Sequence, residues 1–202
     1  MTALRRIRLD RLLESPQELA DLRTLLAGGG VAAIPTETFY GLAADPSSIL
    51  GIARIFGAKG RAEQKPLPVV FAARDQLERL GVDAPAEELD RWFAVWPAPL
   101  TVVLPIRAPI IASRGHLSLG VRIPAHPELV RLLEATGPLT ATSANRAGDP
   151  PLSDPDSVAA AFDGGVDLVI DGGRTPGGLP STLLDALADP PKVLRPGAYP
   201  WP

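Results

Sequence analysis

The sequence predicts an α/β domain with a twisted mixed β-sheet flanked by helices. Short apolar runs of strand length, "VAAI", "LPVVF", "LTVVL" and "DLVID", are separated by segments with helical spacing of apolar residues. The two kinds of segment alternate without a regular strand–helix–strand rhythm, so the sheet is expected to be mixed rather than all parallel. No repeat of 20–50 residues and no long linker divides the chain, which reads as one domain over 1–202, with a core at about 12–197 and a tail at 198–202.

The elements follow in order. "SPQELADLRTLLAGGG" reads as a helix, with Ser15 as N-cap, Pro16 at the first helical position, Glu18 completing a capping box and Gly28 ending it. Leu19, Leu22, Leu25 and Leu26 form its apolar stripe. Val31 to Ile34 is a short buried strand. Ser47 or Ser48 caps a second helix running to about Phe56, and a polar loop, "GAKGRAEQKP", leads to a strand from Leu67 to Phe71. "RDQLERLG" and "PAEELDRWFAVW" read as helices, the latter with Leu89, Trp92, Phe93 and Trp96 at helical spacing. "PLTVVLP" and "LGVRIP" are strands, Pro127 to Thr136 a helix, and "PLTATS" a strand. "DPDSVAAAFDGG" is a helix, "VDLVID" a strand, and "STLLDAL" and "PKVLRPG" close the fold as strands. The end, "GAYPWP", is not helical.

Bulk composition narrows the function classes. The 202 residues are 46% hydrophobic and 21% charged, as in ordinary globular proteins. There is no cysteine, hence no disulfide, thiolate metal site or cysteine nucleophile. No apolar run reaches membrane-span length, and "MTALRRIRLDRLLES" lacks a signal peptide's apolar stretch, so a cytoplasmic protein with no membrane partner is expected. The net charge of −3 excludes bulk polyanion binding, so any phosphate site must be a local gathering of cations.

Standard nucleotide and hydrolase signatures are absent. There is no G-x-x-x-x-G-K-[ST], G-x-S-x-G or H-E-x-x-H, and "AGGGVAAIP" places its glycines before a strand instead of after one. His116 and His126 lack metal-ligand spacing, and no residue is assigned to a protein-held metal.

Scarce residue types mark the informative segments. Arginine is the chain's default cation, and two of the three lysines fall in "KGRAEQK". Lys59, Arg61 and Lys65 there read either as a solvated basic loop or as a polyphosphate clamp. The only asparagine, Asn145, sits in "TATSANRAG". Ser143 and Asn145 form either a self-bonded turn or a hydroxyl-and-amide shelf for a phosphate or ribose. Arg122, inside "GVRIP", lies at an edge or points into a cleft, where a carboxylate is its natural partner. His126 reads as the cap of the next helix. "PTETFYGL" follows a buried strand and is either that strand's end or the delivery of polar groups to a pocket.

Taken in order, "GGVAAIPTETFYGLAADP", "IFGAKGRAEQKPLPVVF", "WPAPLTVVLP", "LGVRIPAHP", "PLTATSANRAGDPP", "STLLDA" and "LRPG" resemble the YrdC-like family, the threonylcarbamoyl-AMP synthases, over nearly the full chain. The resemblance implies a YrdC-like α/β fold around a positively charged cleft. It also implies an activity: nucleotidyl transfer in which L-threonine, bicarbonate and ATP give threonylcarbamoyl-adenylate and pyrophosphate, for threonylcarbamoyladenosine in tRNA. The tRNA is reached indirectly, through downstream transferase proteins. Mg²⁺ is expected with the ATP, on its phosphates.

By the same resemblance, Thr36, Thr38, Tyr40, Arg122 and Ser181 bind threonine and bicarbonate. Lys59, Arg61, Lys65, Ser118, Ser143, Asn145 and Arg195 bind ATP, with Lys59 and Arg61 also catalytic. Ala98 and Val70 depart from the family pattern, which has a Gly and often a polar residue there. The chain stops after "LRPGAYPWP", so the C-terminal domain of longer relatives is expected to be missing. Two rival functions remain: a same-fold paralogue making another carbamoyl-adenylate, and an RNA- or ribosome-binding module. The second is disfavoured by the acidic balance and the lack of basic–aromatic interleaving.

Overall fold

Four of the seven α-helices described start on a side-chain cap in the computed structural model, which describes residues 4–60 and 65–202. β1 (Arg5–Arg8) runs into α1 (Leu9–Glu14), and Ser15 separates α1 from α2 (Pro16–Ala27). The Ser15 hydroxyl accepts from the Glu18 amide at 3.3 Å, and Pro16 occupies the first turn, where an amide has no helical partner anyway. The expected capping box is only half made. The Ser15 amide donates to the Leu12 carbonyl, and the Glu18 carboxylate pairs with Arg5.

β2 (Ala32–Ile34), β3 (Gly41–Ala43) and α3 (Ile49–Lys59) come next. Ser48 caps α3 by accepting from the Gly51 amide at 3.1 Å. The helix runs past Phe56 to Lys59 and ends at Gly60, whose φ of 60° suits a residue without a Cβ. Lys59 therefore belongs to a helical turn and not to the expected loop. Arg61 lies outside the described residues.

β4 (Val69–Val70), α4 (Arg74–Arg79), α5 (Ala86–Phe93), β5 (Leu100–Pro105), β6 (Ser118–Arg122) and α6 (Pro127–Thr136) continue the chain. His126 caps α6, its Nδ1 accepting from the Leu129 amide at 3.3 Å. Then come β7 (Leu139–Thr140), β8 (Thr142–Ser143), α7 (Pro155–Ala161), β9 (Leu168–Asp171), β10 (Thr182–Asp185) and β11 (Lys192–Arg195).

The α/β class and mixed pairing are as expected, realised as two sheets. One has the order β1-β9-β2-β3-β8 and the other β11-β10-β5-β6-β4-β7. The division falls in "PLTATS". Leu139 and Thr140 pair antiparallel with β4, whereas Thr142 and Ser143 pair with β3, so the chain crosses from one sheet to the other at Ala141. The crossing is stitched by hydrogen bonds. The Ala141 amide donates to Pro68, the Thr140 amide to Ala44, and the Ala44 amide to the Thr140 hydroxyl at 3.0 Å.

Two apolar clusters flank these sheets. Leu9, Leu12, Leu22 and Leu26 of α1 and α2 pack with Leu129, Leu132 and Leu133 of α6 against Ala32, Ile34 and Ile170. The larger cluster gathers Ile52, Ile55 and Phe56 of α3 with Phe71, Trp92, Trp96, Val102 and Val121. Burial of the helices' apolar faces, at roughly 25 cal/mol per Å², is the main term holding them to the sheets.

The C-terminal residues pack onto the second sheet. The Tyr199 amide donates to the Thr182 hydroxyl at 3.1 Å, and the Trp201 ring lies 5.7 Å from that of Trp92. Gly197 makes this possible, since a Cβ there would meet the Pro180 carbonyl oxygen at 2.2 Å. Among the described residues no helix is long and apolar enough to cross a membrane.

Candidate functional site

A cavity of about 650 Å³ opens beside the Ala141 crossing. The first sheet contributes the segment between β2 and β3, with Thr36, Thr38 and Tyr40, and Ser143 of β8. The second contributes Thr101, Ser118 and Arg122 from β5 and β6, then Ser181 and Arg195 beside β10 and β11. Lys65 also lines the cavity, and no carboxylate does so among the described residues.

The Thr36–Tyr40 segment is held by its own hydroxyls. Thr36 Oγ1 donates to the Phe39 carbonyl at 2.7 Å and accepts from the Thr38 amide at 3.1 Å. Its single proton is thus committed, so in the 3.1 Å contact between the two hydroxyls Thr38 is the donor. Thr38 then has lone pairs to offer a ligand N–H or O–H. Tyr40 lines the wall with its ring, while its hydroxyl donates to Gly173 at 2.8 Å and accepts from the Gly172 amide at 3.2 Å. Burial pushes this phenol up to about 12, against the pull of the Gly172 amide.

Lys59 lies behind Ser143 and is not among the lining residues. Its ammonium donates to the Ser143 carbonyl, the Asn145 carbonyl at 3.0 Å and Asn145 Oδ1 at 3.1 Å. Asn145 Oδ1 also accepts from Ser143 Oγ at 2.6 Å, and its Nδ2 donates to Arg146 and Asp149. Asn145 is thus a self-bonded turn residue, and Ser143 lines the cavity.

Arg122, at the end of β6, is placed beside Val70 of β4. Its Nη1 lies 3.0 Å from Glu37 Oε1, and both side chains are buried. Burial lowers the Arg122 pKa and the Glu37 charge opposes that shift. Arg195 donates to the Ser181 carbonyl at 2.8 Å and lies 3.4 Å from the Ser181 hydroxyl. Its pKa is lowered too, first by burial and then by the Arg122 charge. Two guanidiniums that repel each other across a partly dehydrated cavity form an anion-seeking pair.

The structure brings together nine of the residues singled out from sequence: Thr36, Thr38, Tyr40, Lys65, Ser118, Arg122, Ser143, Ser181 and Arg195. Lys59 and Asn145 stand behind the wall. Two residues escaped the sequence reading. Thr101 lines the cavity with its hydroxyl 3.0 Å from that of Ser181. It shares a strand face with Val103, and Gly120 leaves room for its methyl, where a Cβ would lie 3.3 Å from Thr101 Cγ2. A polar residue in phase with the cavity-facing positions of an apolar strand was the available signal. Glu37, inside "PTETFYGL", has no local signal of its partner, Arg122, which lies 85 residues away in the sequence.

The fold and cavity define a class: an α/β protein with a cation- and hydroxyl-lined cleft at the seam of two mixed sheets. Residues 24–197 match the Sua5_yciO_yrdC family model (telomere recombination), and the chain belongs to that family. It is 41% identical over 177 residues to the threonylcarbamoyl-AMP synthase of Pyrococcus abyssi (strain GE5 / Orsay), covering 85% of this chain and 52% of that protein. The synthase of Bacillus subtilis (strain 168) is 36% identical over 192 residues, covering 93% of this chain and 56% of that protein. The crystal structure of P. abyssi Sua5 complexed with L-threonine matches with a TM-score of 0.83 at 35% identity, covering 98% of this chain and 57% of the other. The chain spans about half the length of the curated relatives it matches.

Proposed function

We propose that this chain is a threonylcarbamoyl-AMP synthase, making threonylcarbamoyl-adenylate and pyrophosphate from L-threonine, bicarbonate and ATP. The observation that carries the reading is the seam cavity, in which Lys65, Arg122 and Arg195 converge with seven side-chain hydroxyls besides that of Tyr40 and no lining carboxylate among the described residues. Such a lining suits a nucleotide and a small amino acid together. The names of the relatives support the same choice.

In this reading the threonine amine attacks bicarbonate, water leaves, and a carbamate forms. A carbamate oxygen then attacks the α-phosphorus of ATP while the bond to the β-phosphate oxygen breaks and pyrophosphate departs. No covalent enzyme intermediate is required, so positioning and charge neutralisation supply the catalysis. Arg122 takes the threonine carboxylate and Thr38 accepts from its amine or hydroxyl. Thr36 and Tyr40 shape that wall, and Ser181 adds a substrate contact. Lys65, Arg61, Ser118, Ser143 and Arg195 hold the nucleotide, with Lys59 and Asn145 supporting Ser143 from behind.

Mg²⁺, when present, neutralises phosphate charge. The chain's own donors do not fit a protein-held ion, since no group of three His, Asp or Glu among the described residues is placed to hold one. The phosphates are its natural ligands, and no step above runs through it. The product serves adenosine modification in tRNA through downstream transferases in the cytoplasm.

Pyrophosphate release tests the proposal directly. It is expected to require ATP, bicarbonate and L-threonine together, with other amino acids poor substitutes. Release that ignores threonine, or prefers another acceptor, overturns the reading.

A further inference from the structure

Glu37 is unexplained by the fold and unused by the chemistry above. Its side chain is 9% exposed, and neither carboxylate oxygen has a hydrogen-bond partner among the described residues. Among the described residues its one close charge is Arg122 Nη1, 3.0 Å from Oε1. Burying a carboxylate on such terms is a poor way to stabilise a protein, because desolvation offsets the attraction unless hydrogen bonds satisfy the remaining lone pairs. Groups left in this state call for a reason.

Arg122 supplies one. It lines the cavity, is 7% exposed, and makes no other hydrogen bond or ion pair with a described residue. Its other charged neighbour, Arg195, repels it. Without Glu37 nothing described would fix the guanidinium plane. Glu37 is not itself a lining residue, and its contact engages a single nitrogen of the fork. The remaining N–H groups stay available to a planar carboxylate in the cavity.

We propose that Glu37 is a positioning residue. It holds the Arg122 guanidinium from outside the cavity wall so that the free edge of the fork meets the carboxylate of the amino-acid substrate. The substrate part of this proposal rests on the function given above. A Glu37 that merely balanced charge would behave differently: removing it would leave the cavity more cationic and tighten every anion. Positioning predicts a selective loss.

Calorimetric dissociation constants for L-threonine and for ATP, measured on the full chain, separate the two. With Glu37→Gln, L-threonine is expected to bind at least tenfold more weakly and ATP within twofold of wild type. The double variant Glu37→Gln/Arg122→Met should bind threonine no more weakly than Arg122→Met alone, since Glu37 acts only through Arg122. Unchanged threonine affinity, tighter binding of both ligands, or an additional loss in the double variant overturns the proposal. Should Glu37→Gln not fold, the comparison of the double variant with Arg122→Met decides by the same criterion. A wild-type protein that does not bind threonine counts against the proposed function instead. In that event crystal structures of wild type and Glu37→Gln decide the positioning role: a displaced guanidinium supports it, and an unmoved one overturns it.

Discussion

The Lys59 corner and the Arg122 corner of the cavity both hold a buried cation, Lys59 at the end of α3 and Arg122 at the end of β6, yet they treat it in opposite ways. Lys59 donates to three oxygens of the Ser143–Asn145 turn, and Asn145 in turn uses its amide on two further carbonyls. Among the described residues Arg122 has one ion pair, to a carboxylate that itself lacks hydrogen bonds there. The first corner is closed and rigid. The second holds unspent hydrogen-bonding capacity, which is what a site for an external anion requires. Charge type alone does not mark a ligand contact; the number of N–H groups left over does.

Four variants would break or sharpen this contrast. Arg122→Met should have the largest effect on activity, a loss of about 10²–10³-fold in kcat/KM for the amino acid, or about 3–4 kcal/mol, as for truncation of a buried charge contact. Steady-state pyrophosphate release measures it. A loss below about threefold would place the carboxylate elsewhere. Lys59→Met should act mainly on stability, because it strands three acceptors at once. Urea denaturation is expected to show a decrease of about 2–3 kcal/mol. A variant as stable as wild type but inactive would shift Lys59 from support to direct ligand contact.

Thr101→Val removes a hydroxyl from the Ser181–Arg195 side while keeping the shape. Affinity for the substrate should fall about five- to tenfold, near 1 kcal/mol, with little change in melting temperature. The reverse pattern would make Thr101 a fold residue. Asp167→Asn, at a residue that does not line the cavity, should have the smallest effect and sets a baseline. Burial alone would raise the Asp167 pKa, but the Arg54 guanidinium at 2.7 Å and the Val31 amide hold it below the usual carboxylate range. Its folded-state pKa is depressed, so the stability it confers is present above the unfolded value near 4 and drains as pH falls through the folded one. The melting temperature of wild type should therefore drop more steeply below about pH 4 than that of the Asn variant. Parallel curves would mean the pair contributes nothing.

How much of this was legible beforehand depended on distance along the chain. Ser15 and Pro16, Ser48, and His126 with Pro127 announced their helices because a cap and its amide lie within a few residues. The motif segments "PTETFYGL", "SLGVRIP" and "TATSAN" hold six of the nine singled-out residues that share one cavity, Thr36, Thr38, Tyr40, Ser118, Arg122 and Ser143. The strand β1 was missed, since "RRIR" has no apolar run. It forms through parallel pairing with β9, aided by Arg6 on Asp171 at 2.8 Å. The sequence pattern puts Lys59 in a loop because the helical signal of α3 fades at Gly57, while the helix in fact continues to Lys59 and is capped by Gly60.

By itself the sequence determined the α/β class, the starts of the capped helices α2, α3 and α6 and the set of polar residues available for a site, all of which follow from propensities and patterns acting within a few residues. Only the tertiary structure decided which of those polar groups are used up and which are left to a ligand. The split of "PLTATS" at Ala141, the Thr101–Ser181 contact across 80 residues and the meeting of Glu37 with Arg122 are long-range events. A hydrogen bond's partner is set by where the sheets bring two distant strands together, and no local pattern encodes that choice.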